Sequence, residues 1–447
     1  MKSPLDIERS MLKFESNIVQ LLFRSSNFKV IFVTIILFLI YLTILIPMAG
    51  IHVPFNLRES LFTQRTDIYI VLGLGALISF YLKSEFRFYF FIFLLFVSWI
   101  LPFLYRGVWE FSILAYPLLA CAFYLISLIN LNKFLFKLVA FLLGILSFLM
   151  ATYWMLKASF GKSGVAVSAK FWLTHPEFYV LFFLTVLLSN ANKEFKRLLL
   201  NPMNLVWGTI WPQDTLLSKN MTAKEHKKLW CRGIYSVAVS ILFFFIALFV
   251  RYLLKDSKLS LISTVIFYYF FYLFMIIGSF NGHVGISRML GINCPDATYF
   301  LLLAKTPMEV WQRGSTYVYK FFLNFIYIPL QRKIKNYFLV MLICMCLIVL
   351  HLFIFHDVVI RNFFFWLIPD LKAPIVPVLR TLVFSVSWAG LWFVWILVGG
   401  TVWRRILILL PRPWLQWSSI LMNHIVIASI YPISNIILTP YLLEILN

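Results

Sequence analysis

Charged residues are scarce in this 447-residue chain, where they make up only 13% of the sequence. A soluble domain usually carries about 25% charged residues, so the chain lacks the polar surface that a domain folded in water needs. Apolar residues make up 62% and form long unbroken runs, such as Val30 to Ala49 and Leu259 to Phe280. Runs of this length can cross a bilayer as helices, which satisfy their own backbone hydrogen bonds. The composition therefore predicts an all-α, polytopic integral membrane protein.

Acidic residues are also few, with 17 Asp and Glu against 39 Lys and Arg, which gives a net charge of +22. In a soluble protein this excess would indicate nucleic acid. Here the basic residues stand between apolar runs, as the positive-inside rule predicts, so the lipid bilayer is the expected partner and nucleic acid is not. The five cysteines lack paired spacing, which predicts neither a disulfide framework nor a metal site.

The apolar runs predict about eleven transmembrane helices within a single membrane domain, residues 1–447. The predicted spans are 30–49, 67–82, 88–105, 109–130, 134–156, 171–189, 233–254, 259–280, 336–355, 379–402 and 415–438. Three further regions, 1–28, 195–230 and 284–333, are amphipathic and predict interfacial helices. A short apolar stretch, 362–368, is either re-entrant or packed inside the protein.

Most basic residues fall in alternate loops, which predicts a cytoplasmic N-terminus and an outer C-terminus. The two longest amphipathic regions, 190–232 and 281–335, are then cytoplasmic. This is the topology of a multi-pass protein of the cytoplasmic membrane.

The most informative segment lies between the eighth and ninth predicted spans. It contains Asn281-Gly-His-Val-Gly-Ile-Ser-Arg288-Met-Leu-Gly291, Cys294-Pro295, Pro307-Met-Glu-Val-Trp311-Gln-Arg313 and Tyr327-Ile-Pro-Leu330. Its Gly and Pro residues interrupt helices, and its Trp, Tyr and Arg residues are typical of a membrane interface. By itself this composition predicts a cytoplasmic pair of interfacial helices.

The order of these residues resembles the membrane-bound O-acyltransferase family, whose bacterial members act in alginate O-acetylation and teichoic-acid D-alanylation. The matching positions are Gly285, Arg288, Gly291, Pro307, Trp311, Arg313 and Tyr327 to Leu330, and residues 281–368 correspond to the family core. The resemblance implies transfer of an acyl group from a cytoplasmic thioester to a hydroxyl on an extracytoplasmic polymer or lipid. The donor would be acyl-CoA or an acyl-carrier protein, no cofactor is implied, and an extracytoplasmic transferase is a possible partner.

The family's presumed catalytic histidine corresponds to His356, where Phe355 and Asp357 replace the usual Trp and Gly. Histidine suits a general base because its unperturbed pKa is near 6.5. His351 is the alternative base, but it points about 140° away on a helix. A purely interfacial role for His356 also remains open.

The resemblance further implies that the donor entrance contains Trp311, Arg313 and Arg288. Ser315 stands where bacterial relatives often have His, and Asn281 stands where they have Asp. We assign both polar positions to the same substrate-binding region.

Other polar residues have two interpretations each. His283 lies in what we expect to be a glycine-flanked loop, where it would form local hydrogen bonds. His175 and Glu177 flank a proline that would kink a span, or they line the channel wall. Asn423 and His424 either join helices or line the acceptor path.

Two other function classes compete with acyl transfer. One is a catalytically inactive relative that serves as an assembly scaffold. The other is a transporter of a lipid or polymer precursor, although the sequence lacks the paired, broken helices that many transporters show.

Overall fold

Every regular element in the described part of this computed structural model is helical, which confirms the all-α prediction. The described residues are 3–50, 66–83, 221–256, 261–296 and 412–434, with shorter stretches within 86–94, 298–347 and 386–396. The α-helices are α1 (Pro4–Arg24), α2 (Asn27–Gly50), α3 (Thr66–Ser79), α4 (Ala223–Asp256), α5 (Leu261–Met289), α6 (Pro307–Gly314), α7 (Ile328–Lys333) and α8 (Arg412–Pro432). A 3₁₀ turn covers Leu301–Leu303, and a π-helix covers Phe322–Tyr327.

Three helices in the described part are long and apolar enough to cross a membrane. These segments are Asn27–Ile44 of α2, Ala223–Leu254 of α4 and Ile266–Met289 of α5. They overlap the predicted spans 30–49, 233–254 and 259–280. Helices α3 and α8 lie at the predicted spans 67–82 and 415–438, whereas the predicted spans 109–130, 134–156 and 171–189 lie outside the described residues.

The antiparallel helices α4 and α5 form the centre of the described bundle, and small residues bring them close together. A Cβ atom built on Gly285 would lie 2.8 Å from the Gly233 carbonyl oxygen and 2.7 Å from a methyl group of Val237. Ser240 Oγ donates a hydrogen bond to the Gly278 carbonyl oxygen at 2.5 Å. Close backbone approach of this kind lets helices associate where lipid gives no hydrophobic driving force.

Helices α2 and α3 pack against this pair through apolar contacts and two buried hydrogen bonds. Trp230 Nε1 on α4 donates to Thr34 Oγ1 on α2 at 3.0 Å. Ser79 Oγ, at the end of α3, donates to the carbonyl oxygen of Met289, at the end of α5, at 2.9 Å. The last turns of α3 and α5 therefore meet at one end of the bundle.

Helix α1 lies at this same end, which we call the α1 end. Its N-terminus is closed by a capping box in which Ser3 and Asp6 bond each other's backbone N–H groups. The turn to α2 is held by Lys227 Nζ, which donates to the Ser25 carbonyl oxygen at 2.8 Å. The amphipathic segment predicted for residues 1–28 is thus a helix packed on α4.

The expected end of the eighth span was wrong. We placed it at residue 280 and expected Asn281 to Arg288 to begin a cytoplasmic segment of interfacial helices, but α5 continues to Met289 and these side chains are buried. His283 consequently lies in a helix rather than in a glycine-flanked loop. The helix continues because its polar groups have internal partners and its glycines fit against α4, so polarity does not force this stretch into water.

Candidate functional site

Arg288 is the centre of the polar network at the α1 end, with only 1% of its surface exposed. Its Nε and Nη2 atoms both donate to the Cys294 carbonyl oxygen, at 3.0 and 2.9 Å. Nη1 donates to Ser236 Oγ at 2.9 Å, and Nη2 lies 2.8 Å from Asp296 Oδ1. A buried guanidinium is tolerated when it is paired and hydrogen-bonded in this way. Arg288 thus fastens the segment after α5 onto α4.

Gly291 ends α5 in a left-handed conformation, with φ of +91°. Ile292 N donates to the Ser287 carbonyl oxygen at 3.0 Å, the six-to-one bond of a Schellman cap. Glycine adopts this φ without steric cost. Two glycines of the motif therefore have structural reasons: Gly291 stops the helix and Gly285 permits close packing.

A second acidic group approaches this network from α1. Glu15 lies 3.8 Å from Arg232 Nε, and its side chain is 18% exposed. Burial raises the pKa of Glu15, and the negative charge of Asp296 raises it further, against the lowering effect of Arg232 and Arg288. The ionised form of Glu15 is therefore disfavoured in the folded protein.

Cys294 is buried inside the same network. Its Sγ atom lies 3.7 Å from the Val284 carbonyl oxygen, and burial raises the pKa of the thiol to about 12. Because only the thiolate is a strong nucleophile, this cysteine is chemically inert at neutral pH.

Asn281 is buried on α5, on the N-terminal side of Arg288. Its Nδ2 donates to the Ile277 carbonyl oxygen at 2.8 Å and to Thr298 Oγ1 at 3.1 Å. The amide thereby ties the segment beyond α5 back to the helix, two turns from Arg288.

Arg313 lies on α6 and contacts α1 rather than the Arg288 network. Its Nη1 atom is 3.1 Å from Glu8 Oε2 and donates to the Phe300 carbonyl oxygen at 3.4 Å, while Nε lies 3.8 Å from Glu309. Phe300 has a φ of +46°, which is unusual for a residue other than glycine. The guanidinium thus joins α1, α6 and a strained turn.

Trp311 is half-buried on the same helix as Arg313. Its ring makes an edge contact with Trp392 at a centroid distance of 5.8 Å, and it packs on the apolar group that includes Ile427. The motif residues of α6 therefore connect α1 on one side with α8 on the other.

Polar residues of α8 hold the segment between the 3₁₀ turn and α6. Asn423 is fully buried: its Oδ1 accepts from Trp395 Nε1 at 3.0 Å, and its Nδ2 donates to the Ala304 carbonyl oxygen at 3.1 Å. Ser419 Oγ donates to the Lys305 carbonyl oxygen at 2.8 Å. These contacts support an interhelical role for Asn423.

His424 has a contact on another helix, α5. Its Nδ1 lies 2.8 Å from Tyr269 Oη, and its ring packs against Phe270. This pair also supports the interhelical interpretation.

The Tyr-Ile-Pro-Leu part of the motif lies where the π-helix passes into α7. Pro329 has no N–H to donate to the preceding turn, and its ring crowds the carbonyl four residues earlier. A wider π turn before a proline relieves that crowding, and π turns are frequent at functional sites.

The two candidate bases, His351 and His356, lie outside the described residues, as do Ser315, His175 and Glu177. Arg288 and Asn281 both lie on α5, two turns apart, and Trp311 and Arg313 both lie on α6. Sequence reasoning missed their partners, which are Ser236, Asp296, Thr298 and Glu8. The seven-residue spacing of Glu8 and Glu15 on α1 was a usable signal, because it puts two acids on one face.

Within the described residues, no group of three or more His, Cys, Asp or Glu side chains is arranged to hold a metal ion. The arrangement at the α1 end positions basic side chains and closes a helix terminus. In comparisons with known proteins, the chain matches no family model and no curated protein.

Proposed function

We propose that the chain is a divergent membrane-bound O-acyltransferase that moves an acyl group from a thioester donor to a hydroxyl acceptor. The observation that carries the proposal is the ordered motif from Gly285 through Arg288, Gly291 and Arg313 to Leu330. In its favour, Arg288, Gly291 and Arg313 lie at or beside one end of the helical bundle, and the Arg313 side chain is partly exposed there.

The proposed architecture is a single membrane domain of about eleven spans with additional interfacial or re-entrant helices. The α1 end faces the cytoplasm in this proposal, because it carries the basic loops. The protein then resides in the cytoplasmic membrane as a multi-pass protein.

The proposed chemistry uses His356 as general base, or His351 in its place. The base takes the proton of the acceptor hydroxyl while the hydroxyl oxygen attacks the thioester carbonyl carbon. The tetrahedral intermediate collapses and the C–S bond breaks. The leaving thiolate takes the proton from the protonated base and departs as a thiol. Water must be excluded, since it would otherwise compete as the acceptor.

The proposed donor is acyl-CoA or an acyl-carrier thioester, and the acceptor is an extracytoplasmic polymer or lipid. An extracytoplasmic transferase would take the group onward where the acceptor is not the final one. Arg288 and Asn281 would hold the shape of the donor entrance, with Trp311, Arg313 and Ser315 at its border.

The decisive experiment measures consumption of an acyl thioester by the purified protein with His356→Ala and His351→Ala variants. Loss of a general base typically lowers the rate by about 10²–10⁴. We expect that loss for His356→Ala only. The opposite order would identify His351 as the base.

A catalytically inactive scaffold is the second candidate, and one observation favours it. Arg313, the basic residue assigned to the donor entrance, is engaged by Glu8 at 3.1 Å and by Glu309 at 3.8 Å. A scaffold would consume no thioester. It would release the protein that it assembles with when the contact between Arg313 and Glu8 is broken. Absence of any histidine-dependent turnover would favour this second candidate.

A further inference from the structure

Two basic side chains that the acyltransferase proposal does not use lie together at the α1 end. Arg87 follows α3, and His226 lies in the first turn of α4. A Cβ atom built on Gly291 would lie 3.5 Å from His226 Nε2 and 3.8 Å from Arg87 Cδ. Both side chains therefore flank the same point of backbone, and glycine leaves that point without a side chain.

Both side chains are more than nine-tenths buried, with 6% of Arg87 and 1% of His226 exposed. Arg87 Nε donates to the Leu82 carbonyl oxygen at 2.9 Å, but its two terminal nitrogens make no hydrogen bond in the described part of the chain. His226 Nε2 likewise makes none there. The Met289 carbonyl oxygen lies beside the ring and also accepts a 2.9 Å bond from Ser79 Oγ.

The charge of Arg87 is not balanced by a carboxylate within the described residues. The acid nearest in sequence to His226 is Glu225, whose carboxylate caps α4 by accepting from the N–H and the hydroxyl of Thr222, both at 2.8 Å. A buried charge without a partner is costly, so it is normally paired with an opposite charge. The positive end of the α4 dipole adds to the same field.

We propose that Arg87 and His226 form a binding site for a phosphate monoester. A guanidinium binds phosphate oxygens through two parallel N–H groups, and the imidazole supplies a third donor from Nε2. A phosphate monoester offers three acceptor oxygens to these three N–H groups, whereas a carboxylate offers two, and its negative charge balances the charge of Arg87. This site goes beyond the acyl-transfer chemistry, and a binding test of it does not need turnover, although coenzyme A is also the carrier in the proposed donor.

A phosphate monoester can reach the site from two sources. One is a soluble molecule, represented by inorganic phosphate and by coenzyme A, whose 3′-phosphate is a monoester. The other is a lipid headgroup, represented by phosphatidic acid. Dephospho-coenzyme A and phosphatidylcholine are the matched probes, because each retains the carrier but lacks the monoester.

The test measures binding to the full-length protein, by calorimetry in detergent for the soluble probes and in lipid nanodiscs for phosphatidic acid. We expect at least one monoester to bind, with affinity lowered about tenfold or more by Arg87→Gln, which removes the charged fork. His226→Phe keeps the ring packing against Phe80 and Trp230 but removes the donor, and should lower affinity about threefold to tenfold. Lys83→Gln removes an exposed positive charge four residues from Arg87 and should change affinity less than about twofold.

Binding in the soluble arm alone or in the lipid arm alone identifies the source, and binding in both means that the monoester is what is recognised. No binding of any monoester by the wild-type protein, or equal binding by wild type and Arg87→Gln, overturns the proposal. If Arg87→Gln does not fold, Arg87→Lys keeps the charge and loses the fork. Wild-type affinity in both Arg87→Lys and His226→Phe then overturns it as well.

Discussion

Arg288 Nη1 on α5 donates a hydrogen bond to Ser236 Oγ on α4, across 52 residues of sequence. The same guanidinium fixes the Cys294 carbonyl oxygen and Asp296 beyond the helix end. One buried side chain thereby fixes both the register of α4 against α5 and the path of the segment that follows α5.

We expect Arg288→Ala to be destabilising, because the buried Cys294 carbonyl oxygen loses two hydrogen bonds and Asp296 loses its ion-pair partner. A buried polar group left without its hydrogen bonds typically costs about 1–3 kcal/mol. Arg288→Lys should recover part of this loss, since it keeps the charge but cannot make the two bonds to Cys294. Thermal unfolding in detergent measures both, with exposed Arg9→Ala as the control. Equal midpoints for Arg288→Ala and Arg9→Ala would contradict the structural role.

A second prediction concerns pH and Glu15. Burial raises the pKa of this carboxyl above its ordinary value of 4.5, so the folded state holds the proton more tightly than the unfolded state. The resulting stabilisation is complete below pH 4.5 and is lost as pH rises through the folded-state pKa. Glu15→Gln should therefore be at least as stable as wild type at pH 7. As the pH is lowered, its free energy of unfolding should lack the gain that protonation of Glu15 gives the wild type.

The matched control for Glu15 lies seven residues earlier on the same helix. Glu8→Gln loses the 3.1 Å ion pair with Arg313 and should lower the unfolding midpoint at pH 7. If Glu15→Gln is the less stable variant at pH 7, the attraction to Arg232 outweighs burial and the stated sign is wrong.

The contact between α4 and α5 predicts that alanine substitutions at two different glycines change stability in different ways. Gly285→Ala would place a methyl group 2.8 Å from the Gly233 carbonyl oxygen, and backbone cannot move aside as a flexible side chain can. Overpacking of this kind costs about 1–3 kcal/mol. Gly390→Ala meets nothing within 4 Å and should be neutral or stabilising by up to about 1 kcal/mol. Similar unfolding midpoints for the two variants would argue against the close approach.

Asn423 predicts how far α8 contributes to stability. Asn423→Ala removes its hydrogen bonds to the Ala304 carbonyl oxygen and to Trp395 Nε1, and loss of a buried hydrogen-bond partner costs about 1–3 kcal/mol. Ser418→Ala, on the exposed side of the same helix, removes only a bond to its own helix and should have little effect. Protection of α8 in hydrogen exchange reports the difference, and equal protection in the two variants would refute it.

Arg313 allows the donor-entrance role to be separated from a purely structural one. If Arg313 only holds α1, Arg313→Ala and Glu8→Gln should both lower the unfolding midpoint and leave donor use unchanged. If it also binds donor phosphates, Arg313→Ala should raise the donor KM more than Arg313→Lys, which keeps the charge. The ratio of the donor KM of Arg313→Ala to that of Arg313→Lys, measured where both variants are equally folded, decides between the structural role and donor binding.

Long apolar runs made α2, α4 and α5 predictable, because hydrophobic length depends on local sequence alone. The end of α5 was not predictable, since the helix continues past Asn281 only where Thr298 and Ser236 supply partners for its polar groups. Such partners lie 17 and 52 residues away from the side chains they bind, and no local pattern encodes them. Gly291 was visible as a motif residue, but its task as a helix cap required the backbone conformation.

The acidic face of α1 has a consequence for synthesis of the chain. Glu8 leaves the ribosome 305 residues before its partner Arg313, which at about 5–20 residues per second is a delay of roughly 15–60 s. During that time α1 can fold locally through its capping box and can contact α4 through Ser25 and Glu15, but the partner of Glu8 has not been made. The C-terminal half of α1 can thus pack before its N-terminal half, and a nascent chain stalled before Arg313 should expose the Glu8 end of α1 to protease where the finished protein protects it.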